Sequence, residues 1–308
     1  MLKALARMLR NLYNADFICF IGMKAPSPSP LPAGERDGVR GRYIERSLIM
    51  SETVLMEEMT WRQIKDAIQQ GKDTAILVSG SIEQHGPHLP TATDTIIGYA
   101  TAEAVARKLG NALVAPLIRP ALSRHHIDFP GTIALRLETF VKVLEEYCFC
   151  LRAHGFKKIV LFVSHGGNSD ALRAFVPSIA KKVGPDLQLL AVQSVEKHIK
   201  AFQDFLKTKG ITIQRAGVHA AFSETSVMLA LRPDLVAMDK AKPGLTEEAF
   251  YQPENLEKSK IASFIHGVKS QSSIGVLGDP TGSNAAVGKE ILERHVNDIV
   301  EEIKNNLA

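Results

Sequence analysis

Cysteine is scarce in this chain. The 308 residues include only Cys19, Cys148 and Cys150. The last two stand two apart in a helical pattern, where their side chains diverge, so neither a disulfide framework nor a CxxC metal pair is indicated. A chain that folds without such staples suits a reducing compartment, and a cytoplasmic location is expected. No apolar run reaches the eighteen or so residues that a membrane span requires. The G-x-S-x-G elbow of serine hydrolases is missing, and so are the G-x-G-x-x-G and G-x-x-x-x-G-K-[ST] phosphate cradles. Excess charge is missing too, once the formal +4 is divided along the chain. Residues 1–49 hold eight Lys or Arg against four Asp or Glu, and the remainder holds 29 of each. The body therefore offers no electrostatic footprint for nucleic acid.

What is present falls into two parts. Residues 25–42, APSPSPLPAGERDGVRGR, combine Pro, Ser, Gly and charge without the apolar area needed to offset the entropy of ordering. The apolar stretch ahead of them spans about seven residues and has Asp16 at its edge, which argues against an export signal. Residues 1–49 are expected to be a disordered or non-native extension, with a single domain over 50–308.

From Met50 onward the pattern is alternating α/β. TAILVSG (74–80), ALVAPLI (112–118), KIVLFVS (158–164) and LQLLAVQS (187–194) read as buried strands. Helical spacing marks 95–110, 137–155, 169–184, 224–236 and 285–307, several of them stopped by Gly. The expected fold is a three-layer α/β/α unit around a mostly parallel sheet. Ligands in such sheets collect beyond the carboxyl ends of the strands.

Two polar clusters fall there. SIEQHGPHLPTATD (81–94) follows the first strand and places Glu83, His85 and His88 in a loop that Pro87 and Pro90 keep from being helix interior, with Asp94 opening the next helix. SHGGNSD (164–170) follows the third strand and brings His165. Carboxylate and imidazole on a rigid loop are what a divalent ion needs, because its ligands must converge at about 2.0–2.2 Å. Each residue alone reads as a loop or capping group; five at two strand ends point to a metal site. Gly166 and Gly167 are expected to permit a sharp turn, and Asn168 or Ser169 to cap the following helix. In HAAFSETS (219–226), Glu224 sits in a first helical turn, where a capping role is equally open, and His219 lies in the loop before it. His125 and His126 are neighbours, and adjacent residues seldom both face one pocket. GVLGDPTGSNAAVGKE (275–290) reads as a turn and helix cap.

Taken in order, GSIEQHGPHLPTATD, DFPGTIALRLETF, SHGGN, HAAFSETS and GDPTGSNAAVGKE resemble the creatininase family of metal-dependent amidohydrolases, in its HGGN branch with deformylase-type members. The resemblance implies two divalent ions, Zn, Mn or Fe, held by Glu83, His85, Asp94 as the bridge, His165 and Glu224, with His219 in proton transfer. It further implies hydrolysis of a C–N bond in a small cyclic amide or formamide, and a homo-oligomer, commonly a hexamer. Where creatininase itself has a carboxylate two positions after the His165 match, this chain has Gly167, which argues against creatinine as substrate. A ring-opening hydrolase of a cyclic ketone or lactone, or a non-catalytic metal-binding scaffold, are the alternatives. Pocket loops are expected around 120–130, 195–222 and 240–285.

Overall fold

The computed structural model describes residues 53–192 and 204–307. The expectation for residues 1–49 lies outside them. Four strands, β1 (Thr74–Ser79), β2 (Ala112–Val114), β3 (Lys158–Val163) and β4 (Gln188–Ala191), form one parallel sheet in the order β2-β1-β3-β4. β1 lies at the centre and is buried along its whole length, as its unbroken apolar run requires.

Helices cover both faces. α1 (Trp61–Gln69), α2 (Thr93–Leu109), α3 (Leu137–Ala153), α4 (Ser169–Val183), α5 (Phe222–Leu231), α6 (Pro253–His266) and α7 (Ala285–Asn306) are joined by loops, short 3-10 turns and a single α-helical turn at Ile213–Ala216. The period-two alternation of the strands divides the core. Ala75, Leu77, Ile159 and Leu161 pack on Phe140, Leu144 and Cys148 of α3 and on Leu172, Val176 and Ile179 of α4. Ile76, Val78, Val160 and Phe162 point the other way, against Ala102 and Val105 of α2 and Val296, Ile299 and Val300 of α7. The three-layer α/β/α expectation describes what is seen.

Several bounds differ from the sequence reading. The strand expected over 112–118 ends at Val114, although Ile118 still pairs with Ser79 through an isolated bridge. The helix expected to run to 236 stops at Leu231, and Pro233 begins a separate 3-10 turn. α1 and α6 were not anticipated. Cys148 is buried and Cys150 exposed, so the two do diverge. Among the described residues no helix is long and apolar enough to cross a membrane.

The topology sets up the site. Ser79 and Val163 are register partners at the carboxyl ends of β1 and β3, and Gly80 N donates to Ile118 O at 3.0 Å. The chain segments leaving β1, β2 and β3 therefore emerge side by side.

Candidate metal centre

The loop after β1 is pinned before it carries any function. Glu83 N donates to Thr91 O at 2.9 Å and Ile133 N to Ile82 O at 2.9 Å, which closes residues 80–92 into a bracket. Thr95 Oγ1 donates to Ser81 O at 2.8 Å, and His88 Nε2 pairs with Thr225 Oγ1 at 2.9 Å, tying the bracket to α2 and α5. Within it Glu83, His85 and His88 are all buried, as is Asp94 in the first turn of α2.

Asn168 corrects an expectation. Neither it nor Ser169 caps α4 with a side chain; instead the Asn168 amide knots three loops together. Its Nδ2 donates to Gly80 O at 2.9 Å and Ser79 Oγ at 3.1 Å, and its Oδ1 accepts from Leu122 N at 3.0 Å. The residue sits at the carboxyl end of β3, beside the end of β1, where these groups lie within its reach.

Inside this frame four acidic and basic side chains interlock. Asp94 Oδ1 lies 3.3 Å from His85 Nε2 and Asp94 Oδ2 lies 3.4 Å from His165 Nδ1, so one carboxylate faces two rings with different oxygens. Glu83 Oε2 lies 3.3 Å from His165 Nε2 and accepts from Ser81 Oγ at 3.0 Å. His85 Nδ1 donates to the Glu83 backbone carbonyl at 3.1 Å, which fixes the ring so that Nε2 is aimed inward. Glu224, in the first turn of α5, accepts from Ala220 N at 2.5 Å, which ties the preceding loop to the start of the helix; the same Oε2 lies 3.9 Å from His85 Nε2.

Three groups of donor atoms, each mutually within 4.8 Å, result: Glu83, Asp94 and His165; His85, Asp94 and Glu224; and Glu83, His85 and His219. Glu83 Oε1, His85 Nε2 and Asp94 Oδ2 are buried without a hydrogen-bond partner. Buried polar atoms are rarely left so, and here the three atoms belong to the donor groups just named.

Electrostatics divide the histidines. Burial disfavours charge on His85, yet Asp94 overrides it and lifts the ring to about 10. His165 likewise rises well above its ordinary value despite burial, through Glu83 and Asp94. Burial and the repulsion of His85 push His219 down to about 3. Burial presses Glu224 up to about 7 against the pull of His85. Three carboxylates in so dry a space call for positive charge.

His125 and His126 both reach the site, contrary to the rule that neighbours diverge. They sit in a 3-10 turn, Arg124–His126, where that rule does not apply, with ring centroids 4.3 Å apart. His126 Nε2 lies 3.3 Å from Glu83 Oε1, and the His125 ring stacks 5.7 Å from that of His165. Sequence reasoning missed Ser123, whose hydroxyl pairs with that of Ser81, and Gln84, which touches His126 and His219. Of the expected pocket loops, residues 195–203 lie outside the described residues.

Against this geometry, the family model described as Creatininase: Creatinine amidohydrolase matches residues 57–303. The chain belongs to the creatininase family. A mycofactocin precursor peptide peptidase of Mycolicibacterium smegmatis is 32% identical over 231 residues, covering 73% of this chain and 82% of that protein. A 3-dehydro-scyllo-inosose hydrolase of Thermotoga maritima is 32% identical over 268 residues, covering 80% and 84%. A solved manganese form of creatininase superposes with a TM-score of 0.64 at 25% identity, over 82% of this chain and 98% of that one. The chain is thus a hydrolase of the creatininase family with candidate metal-ligand groups at the strand ends.

Proposed function

We propose that the protein is a metal-dependent amidohydrolase that cleaves a C–N bond of a small cyclic amide or formamide. The observation that carries this reading is Asp94, whose two oxygens face His85 and His165 and so belong to two ligand groups at once. Glu83, Asp94 and His165 would hold one divalent ion, and His85, Asp94 and Glu224 the other. The unpartnered Glu83 Oε1, His85 Nε2 and Asp94 Oδ2 fit that role. Mixed imidazole and carboxylate ligands accept Zn, Mn or Fe. When bound, such ions would lower the pKa of water enough to supply a nucleophile at neutral pH and would polarise the carbonyl under attack.

The remaining chemistry falls to the chain itself. Burial of Glu83, His85 and Asp94 excludes bulk water, which strengthens each charge in the site. The leaving nitrogen must gain a proton before it departs, and the neutral His219 is the group proposed to carry it. His219 also converges with Glu83 and His85, so its role as base is separable from a ligand role only by metal content in its absence.

The test is elemental analysis of protein purified without chelator or nickel, comparing wild type with Asp94→Ala. About two ions per chain, lost in the variant, support the reading and direct a screen of cyclic amides, formamides and short peptides. No metal in either leaves a non-catalytic scaffold. The likeness to the 3-dehydro-scyllo-inosose hydrolase favours a second reading, hydrolysis of a ring bond other than an amide at the same site. A cytoplasmic homo-oligomer, a hexamer by the family resemblance, completes the proposal, and sedimentation velocity checks it.

A further inference from the structure

A file of rings leads outward from the candidate metal centre. His165, whose side chain faces Glu83 and Asp94, is buried, and its ring stacks on that of His125 with 5.7 Å between centroids and 18° between planes. His125 in turn meets Phe264 of α6 edge to face, with centroids 4.5 Å apart. Phe264 is 44% exposed, so the file ends at the surface. The turn after His165 is bare: Gly166 is exposed, and a Cβ on it would meet no described atom within 4 Å. Open space therefore lies beside the innermost ring.

The helix that presents Phe264 is braced at both ends. Lys260, one turn earlier, donates to Asp170 Oδ2 at 2.8 Å, which ties α6 to the first turn of α4, and its ammonium lies 6.0 Å from the centre of the Phe264 ring. Beyond Phe264, Gly267 approaches the loop that follows His125 and His126 so closely that a Cβ on it would stand 2.8 Å from Asp128 Oδ2. α6 thus reaches from the helix after His165 to the turn that carries His125. Ile261, three positions before Phe264 on the same helical face, is exposed as well. With the Lys260 charge already paired, the surface offered beside His125 is flat and apolar.

We propose that Phe264, backed by His125, is a specificity-determining residue whose exposed face receives a flat, uncharged ring attached to the amide or formamide under attack. This placement rests on the proposed metal-dependent hydrolysis, because the ligand His165 sets where the reacting carbon lies. Aromatic rings in contact favour offset or edge arrangements with centroids about 4.5–7 Å apart, the spacing that the file already keeps. A substrate ring adds one more member to it. An aliphatic group would fill the same space without the ring-to-ring contact.

Isothermal titration calorimetry of the zinc-loaded full chain tests this with two probes, acetohydroxamate and benzohydroxamate. Both bind a divalent ion through the same hydroxamate, and only the second carries a ring. Phe264→Ala is expected to lower the preference for benzohydroxamate over acetohydroxamate by roughly 3–10-fold, whereas acetohydroxamate, too short to reach the wall, binds both proteins alike. Phe264→Leu keeps apolar bulk on His125 without a flat face and should repeat the loss, and Phe264→Tyr should keep the preference. An unchanged preference in folded Phe264→Ala or Phe264→Leu overturns the inference; if it comes with a smaller sedimentation coefficient, a second copy of the chain covers this face instead. Zinc-loaded wild type that binds neither hydroxamate overturns it too. Zinc content keeps the two ideas apart: zinc bound without the ring preference sinks the aromatic wall alone, and a wild type that takes up no zinc sinks the metal reading on which the wall stands.

Discussion

Gly167 touches His165 at a distance that only glycine permits. A Cβ on Gly167 would overlap His165 Nε2 and lie 2.9 Å from the Leu122 carbonyl oxygen. Its backbone is not in the left-handed region, so the requirement is for space alone. Gly167→Ala must therefore displace the His165 ring, which faces both Glu83 and Asp94. The expected outcome is a folded protein whose metal content falls from two to about one ion per chain, read by elemental analysis. Retention of both ions would show that His165 is not a ligand.

Glu224→Gln separates charge from shape. The amide oxygen of Gln keeps the bond from Ala220 N, so the start of α5 survives, while the negative charge near His85 is gone. One of two ions should be lost, with an unfolding temperature close to wild type when both proteins are stripped with chelator.

Asn168→Ala removes an amide that holds Ser79, Gly80 and Leu122 at once, and leaves their buried groups unsatisfied. A cost of about 2–4 kcal/mol is expected, seen as a lower urea midpoint with an unchanged slope. Asn168→Asp should do no better, because its carboxylate would face the Gly80 carbonyl and Ser79 hydroxyl that the amide nitrogen serves.

The two helical cysteines should react differently. Burial pushes the Cys148 thiol up to about 12, whereas Cys150 is exposed. At pH 8 iodoacetamide should modify Cys150 in the native protein and Cys148 only after unfolding, as peptide mass spectrometry would show. Native labelling of Cys148 would contradict its place in the core.

Much of this was legible in the sequence, and the reasons are local. β1 and β3 announce themselves because strands buried on both faces are apolar throughout, and α2 stops at Gly110, whose φ of 79° lets the helix close. Glu83, His85, Asp94 and His165 stand out by their types and their places after strands, whereas Glu224 enters as a ligand only through the family resemblance. α1 went unnoticed although Thr60 and Gln63 form a capping box, because its nine residues bury only Ala67. α6 leaves Ile261, Phe264 and Ile265 exposed, so no apolar stripe marks it. Gln84 carried no signal: a neutral amide among charged neighbours looks like filler until its partners, up to 191 positions away, are brought beside it. His126 was discounted by a rule for regular strands and helices that its 3-10 turn does not obey.

The Asn168 knot has one more consequence. It is uncharged, takes no proton at any working pH and touches none of the proposed ligand atoms. The carpentry of the strand ends is thus independent of the cargo they present. A descendant of this chain can rewrite its outer loops, and with them the molecule it attacks, without reinventing the joint that keeps Glu83 and His165 face to face.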